Sequence, residues 1–178
     1  MEILLILVGV AVPVALYFWR ESRFRNPASR WPALASAVGM QYAPDPPRMG
    51  GEWKGRRVTV SSVEGGALLA SPLQCRSAIR VEIGPRAEME RAAGMVVHDR
   101  LTLGDPAFEE RYLARATPPE AGEGALDPAT RQKLLRMPDV RILAVSNQIQ
   151  VRMPSPTEAD ALRGILDVAA SVADAVEG

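Results

Sequence analysis

The sequence predicts an α+β fold: an N-terminal transmembrane helix followed by one domain with an antiparallel sheet and helices packed on one face. Three observations carry this. The opening residues are apolar and are followed at once by arginines. The middle of the chain reads as hairpins rather than as regular β-α-β alternation. The chain then closes on a long amphipathic helical pattern. Hairpins with interspersed helices give a sheet that buries its apolar face under those helices.

The run from Ile3 to Trp19 carries no charge, and as a helix it spans about 25 Å. That is the short end of what a hydrocarbon core of roughly 30 Å requires. Tyr17, Phe18 and Trp19 supply an interfacial aromatic belt, and Pro13 kinks the helix. A cleaved signal peptide wants a basic start and small residues at the cut, whereas Glu2 precedes this run and bulky aromatics end it. A core helix apolar all round is the third reading, and the abrupt RESRFR flank argues against it. Arg20, Arg23 and Arg25 lie on the C-terminal side only, so the positive-inside rule places the remainder of the chain in the cytoplasm. The expected organisation is an anchor at 1–25, a linker at 26–30 and a soluble α+β domain at 31–178. The expected location is the bacterial inner membrane, single-pass, with an extracytoplasmic domain as the alternative.

Basic and acidic residues balance at 21 each, so no global field draws in nucleic acid. One cysteine, Cys75, excludes an intramolecular disulfide.

Along the domain, Asn26-Pro27 ends the membrane helix. A short helix comes next, with Pro32 in its first turn, Gly39 as its stop, and Trp31, Leu34, Ala35 and Val38 on one face. Pro44 to Gly51 reads as punctuation rather than as an element. Glu52-Trp53 and Arg57 to Ser61 form a tight hairpin about Lys54-Gly55, and Ala67 to Ala70 adds a short strand closed by Pro72. Ala78 to Ile83 alternates, with Ile79, Val81 and Ile83 inward and Arg80 and Glu82 in water. Pro85 to Ala93 is a short helix ended by Gly94, and Val96 to Leu103 a strand stopped by Gly104-Asp105-Pro106.

Phe108 to Arg115 stays open between helix and strand. Thr117 to Gly124 is by composition a mobile loop. Asp127 caps a helix with Pro128 in its first turn, running to about Met137. Val140 to Met153 is a second hairpin turning near Ser146-Asn147-Gln148, with Ile149, Val151 and Met153 on a common face. Thr157 and Asp160 form a capping-box variant at the head of the last helix. On that helix Leu162, Ile165, Leu166, Ala169, Val172, Ala173 and Val176 trace one apolar stripe.

The segment Gly104-Asp105-Pro106-Ala107-Phe108-Glu109-Glu110-Arg111-Tyr112 places an acidic turn and an aromatic ahead of an aromatic entering a strand. With the leucine pair Leu134-Leu135, the hairpin Val140 to Met153 and the G-x-R-x-x-V element at Gly55 to Val60, it resembles a pattern in bacterial single-pass membrane-anchored proteins of unknown function. The resemblance implies a strand at Tyr112 to Arg115, and it implies no catalytic residues.

Most chemistries lack their residues. A structural zinc needs about four nitrogen or sulfur ligands, and His98 and Cys75 are the only histidine and cysteine. No D-x-D-x-D-G run offers a calcium loop, no glycine-rich phosphate loop occurs, and no G-x-S-x-G elbow is present. Cys75 and His98 carry no nucleophile signature and read as a small filler and a strand-edge histidine. Glu88/Glu90 and Glu109/Glu110 read as solvated acidic faces. No catalytic residue, metal or cofactor is therefore assigned. One positive candidate remains: Trp53, Lys54, Arg56 and Arg57 cluster at a hairpin tip, where basic groups beside an aromatic suit an anionic surface. A solvated, charge-protected sheet edge is the alternative.

These readings point to a membrane-tethered, non-catalytic binding or scaffold module of unknown ligand. Its expected partners are membrane lipid through the anchor and another membrane or cytoplasmic protein, not nucleic acid. The alternatives are a subunit of a bacterial envelope complex and an enzyme using only Asp, Glu, Arg or Ser on a membrane-associated substrate.

Overall fold

The computed structural model describes residues 27–75, 78–92 and 100–178. The expected anchor at 1–25, His98 and the first half of the strand expected over Val96 to Leu103 lie outside the described residues. Among the described residues no helix is long and apolar enough to cross a membrane.

The described residues begin with a 3-10 turn, Pro27–Arg30, and helix α1, Trp31–Val38. Pro32 sits in the first turn of α1, Gly39 closes it, and Trp31, Leu34, Ala35 and Val38 are all buried, as their spacing predicts. Four strands come next in a meander: β1 (Gln41–Pro44), β2 (Pro47–Trp53), β3 (Arg56–Val63) and β4 (Gly66–Pro72). Then come β5 (Arg80–Pro85), α2 (Arg86–Ala92), α3 (Pro106–Arg111), β6 (Tyr112–Thr117), α4 (Pro119–Ala125) and α5 (Pro128–Leu135). The hairpin β7 (Arg141–Val145) and β8 (Gln148–Met153) precedes the final helix α6 (Ala159–Glu177).

The strands form one eight-stranded sheet in the order β1-β2-β3-β4-β8-β7-β5-β6. Every neighbouring pair is antiparallel, which gives the α+β class expected. Register aligns Met49, Val60, Leu69, Val151, Ile142, Ile83 and Ala114 across seven of these strands. All seven are buried and make the floor of the core. Helix α6 lies over them, packing on β7 and β8 and against α1, α4 and α5. Its whole apolar stripe is buried, so the stripe is core and not a docking face.

Several expectations are corrected. Pro44 to Gly51 is not punctuation, because it holds the end of β1 and most of β2. Pro44 sits on the edge strand and Pro47 begins its strand, two places where a missing N–H is tolerated. Of the strand expected to end at Leu103, the described part is a single bridge from Arg100 to Arg115. Thr117 to Gly124 is not a loop, because α4 occupies it. A Cβ on Gly122 would overlap the Leu101 and Ala116 side chains, so this glycine serves close packing rather than mobility. Phe108 to Arg115 is both things in turn: α3 ends at Arg111 and β6 begins at Tyr112. Glu158, not Thr157, is the N-cap of α6, and no side chain bonds its first turn.

Helix packing is not confined to one face. Glu82 and Gly84 of β5 point away from the core that Val81 and Ile83 enter. Met89 of α2 is buried against the Gly84 position on that second face. Glu82, expected in water, is only 6% exposed beneath it. Two short-range expectations hold closely. Asp127 accepts from the Thr130 N–H at 2.6 Å to cap α5. The β2–β3 turn puts Lys54 at φ 49° and Gly55 at φ 78°, the tight hairpin geometry in which glycine is favoured.

Candidate binding surface

The hairpin tip singled out in the sequence lies against α6. Strand alternation sends Trp53 and Arg56 to the helix side. Trp53 Nε1 donates to Asp167 Oδ1 at 3.0 Å, and Lys54 Nζ lies 2.7 Å from the same oxygen. Arg56 donates to Asp174 Oδ1 from Nε at 2.9 Å and from Nη2 at 2.6 Å, and it also donates to Glu177. Glu177 in turn accepts from the Gln74 N–H at 2.6 Å. Hydrogen bonding to Arg56 holds the Glu177 carboxyl below its usual range, and the same contact raises Arg56. Burial pushes Asp167 up, but the bonds from Lys54 and Trp53 outweigh it and leave its carboxyl lowered.

Three of the four sequence candidates thus have carboxylate partners on α6. Arg57 alternates to the opposite side of the sheet, where its cross-strand neighbour is Glu52. Nearby, Cys75 Sγ lies 3.6 Å from the Val176 carbonyl, and burial pushes its thiol up, away from thiolate reactivity.

The second face of the sheet has a different character. Arg48, Arg57, Arg80, Arg141 and Arg152 project from it by strand alternation, with Glu52 and Glu82 as the strand-borne acids. Arg141 and Arg152 are direct cross-strand partners, and Arg152 is also opposite Leu68. Arg141 leans toward β5 and α2, donating to Glu82 at 2.6 Å and to Glu88 at 3.3 Å. Burial works to raise the Glu82 carboxyl, yet Arg141 and Arg80 together bring it below its usual range. The exposed Arg152 side chain has no hydrogen bond or ion pair among the described residues.

The two arginines help to line a groove of about 330 Å³, together with Val63, Leu68, Leu143 and Gln150. Its walls are three aliphatic side chains, one amide and two guanidinium groups. Such a surface suits an anion with an apolar body. Sequence reasoning missed it because Gln150 and Arg152 read only as the outward half of an alternating strand. Their meeting with Leu68 and Arg141 depends on the β4–β8 and β7–β8 registers.

Among the described residues no three His, Cys, Asp or Glu side chains converge as a metal site. No protein-family model matches the chain, and no curated protein matches it. Its structure is similar to the crystal structure of the mycobacterial trehalose monomycolate transport factor A, TtfA. The TM-score is 0.59 at 15% sequence identity, covering 85% of this chain and 95% of that one. At that identity the likeness concerns the fold.

Proposed function

We propose that this protein is a membrane-tethered, non-catalytic binding module of the bacterial cell envelope, and that the second face of the sheet, left uncovered by the described residues at β4, β8 and β7, is its binding surface. The observation that carries the reading is the second face of the eight-stranded sheet. It presents an arginine, unpaired among the described residues, beside an aliphatic groove where α6 and its neighbours do not reach. The tether rests on the apolar run Ile3 to Trp19 and on Arg20, Arg23 and Arg25 behind it, which orient the domain to the cytoplasm. The fold shared with a protein named as a transport factor supports a role in holding a cargo or a partner at the envelope. The resemblance to single-pass anchored bacterial proteins supports the same placement.

Glu82, Asp127, Asp167 and Glu177 are all lowered by ion pairing or capping, so none of these four has the raised value of a general acid. Burial of the α6 stripe removes the feature that would have favoured a complex subunit docking through that helix.

The test is fractionation and topology of the full chain, followed by copurification in a mild detergent. The protein is expected to pellet with membranes, to resist high salt and to dissolve in detergent. A C-terminal phosphatase fusion, active only outside the cytoplasm, should stay silent. Material captured with the protein should be lost on Arg152→Glu while the variant still pellets. Release by salt alone, or strong phosphatase activity, would overturn the tether or its orientation.

A further inference from the structure

We infer that the groove on the second sheet face takes an anionic phospholipid, its phosphate held by Arg152 with Arg141 beside it and its acyl chain lying on Val63, Leu68 and Leu143. The inference rests on the proposed binding surface and names the ligand class for it.

Charge complementarity comes first. Directly opposed like charges on neighbouring strands repel, and Arg141 and Arg152 are such a pair. Arg141 is compensated by Glu82 and Glu88 on its far side. Arg152 is compensated by nothing among the described residues. A phosphate there would meet the free guanidinium of Arg152, the donor type that matches its oxygens with paired N–H bonds, and beside it the N–H groups of Arg141 not already given to Glu82 and Glu88. The wider face adds Arg48 and Arg57 against one acid, Glu52, opposite Arg57, so positive charge is in excess there.

The floor of the groove then selects the rest of the ligand. β4, β8 and β7 are interior strands, and their backbone N–H and C=O groups are used up in the ladders on both sides. A peptide laid there in extended form could not add a strand, and it would find Gln150 as the sole uncharged polar side chain along the groove. An acyl chain needs no hydrogen bonds and gains from covering Val63, Leu68 and Leu143. Free phosphate would use the arginines and leave that apolar surface in water.

The test uses the full chain in a neutral detergent with a photoreactive lysophosphatidylglycerol carrying a diazirine on its acyl chain. Crosslinks are mapped by mass spectrometry. Peptides covering β4, β7 and β8 should be labelled, and unlabelled lysophosphatidylglycerol should compete. Lysophosphatidylcholine and inorganic phosphate should not. Arg152→Glu should cut labelling of these peptides about tenfold, the loss expected for a charge-assisted contact, while Arg152→Lys retains most of it. The reversed charge lies beside Arg141 and can pair with it, so this variant should keep its fold, checked by circular dichroism. Leu143→Gln should lower labelling with Arg152 intact. Labelling of residues 1–25 should be unchanged in every variant and serves as the internal control for detergent-borne lipid.

Absence of sheet labelling, equal competition by the choline lipid or by phosphate, or indifference to Arg152→Glu would each overturn the inference. Displacement of the probe by an acidic amphipathic helical peptide, with no head-group preference among lipids, would assign the face to a protein. That last result sinks the lipid and leaves the binding-module reading standing.

Discussion

The indole N–H of Trp53 donates to Asp167 Oδ1 at 3.0 Å, tying the root of the β2–β3 turn to the middle of α6. Lys54 shares that oxygen, and Arg56 repeats the arrangement on Asp174 and Glu177 farther along the helix. Acidic side chains of α6 outside its apolar stripe thus fasten the hairpin tip. The carboxylates sit at 167, 174 and 177, one or two turns apart on one flank.

Asp167→Ala should destabilise the protein by about 1–2 kcal/mol, since it leaves a half-buried indole donor without its acceptor, while exposed Lys54 turns to water. The Asp167 side chain is 32% exposed, so solvent screening keeps the figure at this level rather than that of a buried pair. Asp167→Asn retains an acceptor for Trp53 and should lose less. Urea unfolding of the three proteins, followed by tryptophan fluorescence, checks the order.

Acid should loosen this latch in a definite window. Asp167 and Glu177 are both lowered in the folded protein from ordinary values of 3.8 and 4.5. The unfolded chain therefore takes up protons first as pH drops. The stabilisation is complete above the ordinary values and is lost as pH falls through the lowered, folded ones. Stability should be level from pH 7 to about 5 and decline below about 4.5. Arg56→Gln should flatten that acid limb, because it removes the contact that lowers Glu177. Urea midpoints across pH 3 to 7 for both proteins measure this.

What could be read in advance was whatever repeats within a few residues. The α6 stripe, the Lys54-Gly55 turn, the Asp127 cap and the β7–β8 turn are set by local spacing, and each is where its pattern placed it. Thr117 to Gly124 failed because its prolines and glycines are turn formers by composition. Here Pro119 starts a helix, and Gly122 is needed for contact with Leu101 and Ala116. Glu82 failed for a related reason: alternation gives the face but not that α2 folds back over it. The hairpin-tip candidates were visible as a basic cluster, but the acids that meet three of them lie more than a hundred residues away.

The Gly122 contact is directly testable. Gly122→Val should cost about 1–3 kcal/mol through overpacking at the α4–β6 contact. Gly124, whose Cβ position is open, should accept alanine with little change. Limited proteolysis of the full chain should spare Thr117 to Gly124, and early cleavage there would mean that α4 is not held against β6.

Leu166→Ala tests whether α6 holds the core together. Leu166 is 1% exposed, and its stripe covers the sheet at β7 and β8 while also meeting α1, α4 and α5. Truncating it removes transfer energy and leaves a cavity beneath a helix that is pinned by several neighbours. Local collapse is then limited, and a loss of about 2–5 kcal/mol is expected. Against a typical total of about 5–15 kcal/mol, that is a large share. The adjacent Arg163 is a useful control: it donates to Asp160 and to the Ala37 carbonyl from an exposed position, so Arg163→Ala should cost under about 1 kcal/mol. Both variants can be measured by urea unfolding of the full chain in detergent. A Leu166→Ala loss below roughly 0.5 kcal/mol, no larger than an ordinary surface substitution, would mean that the stripe is not packed on the sheet in solution.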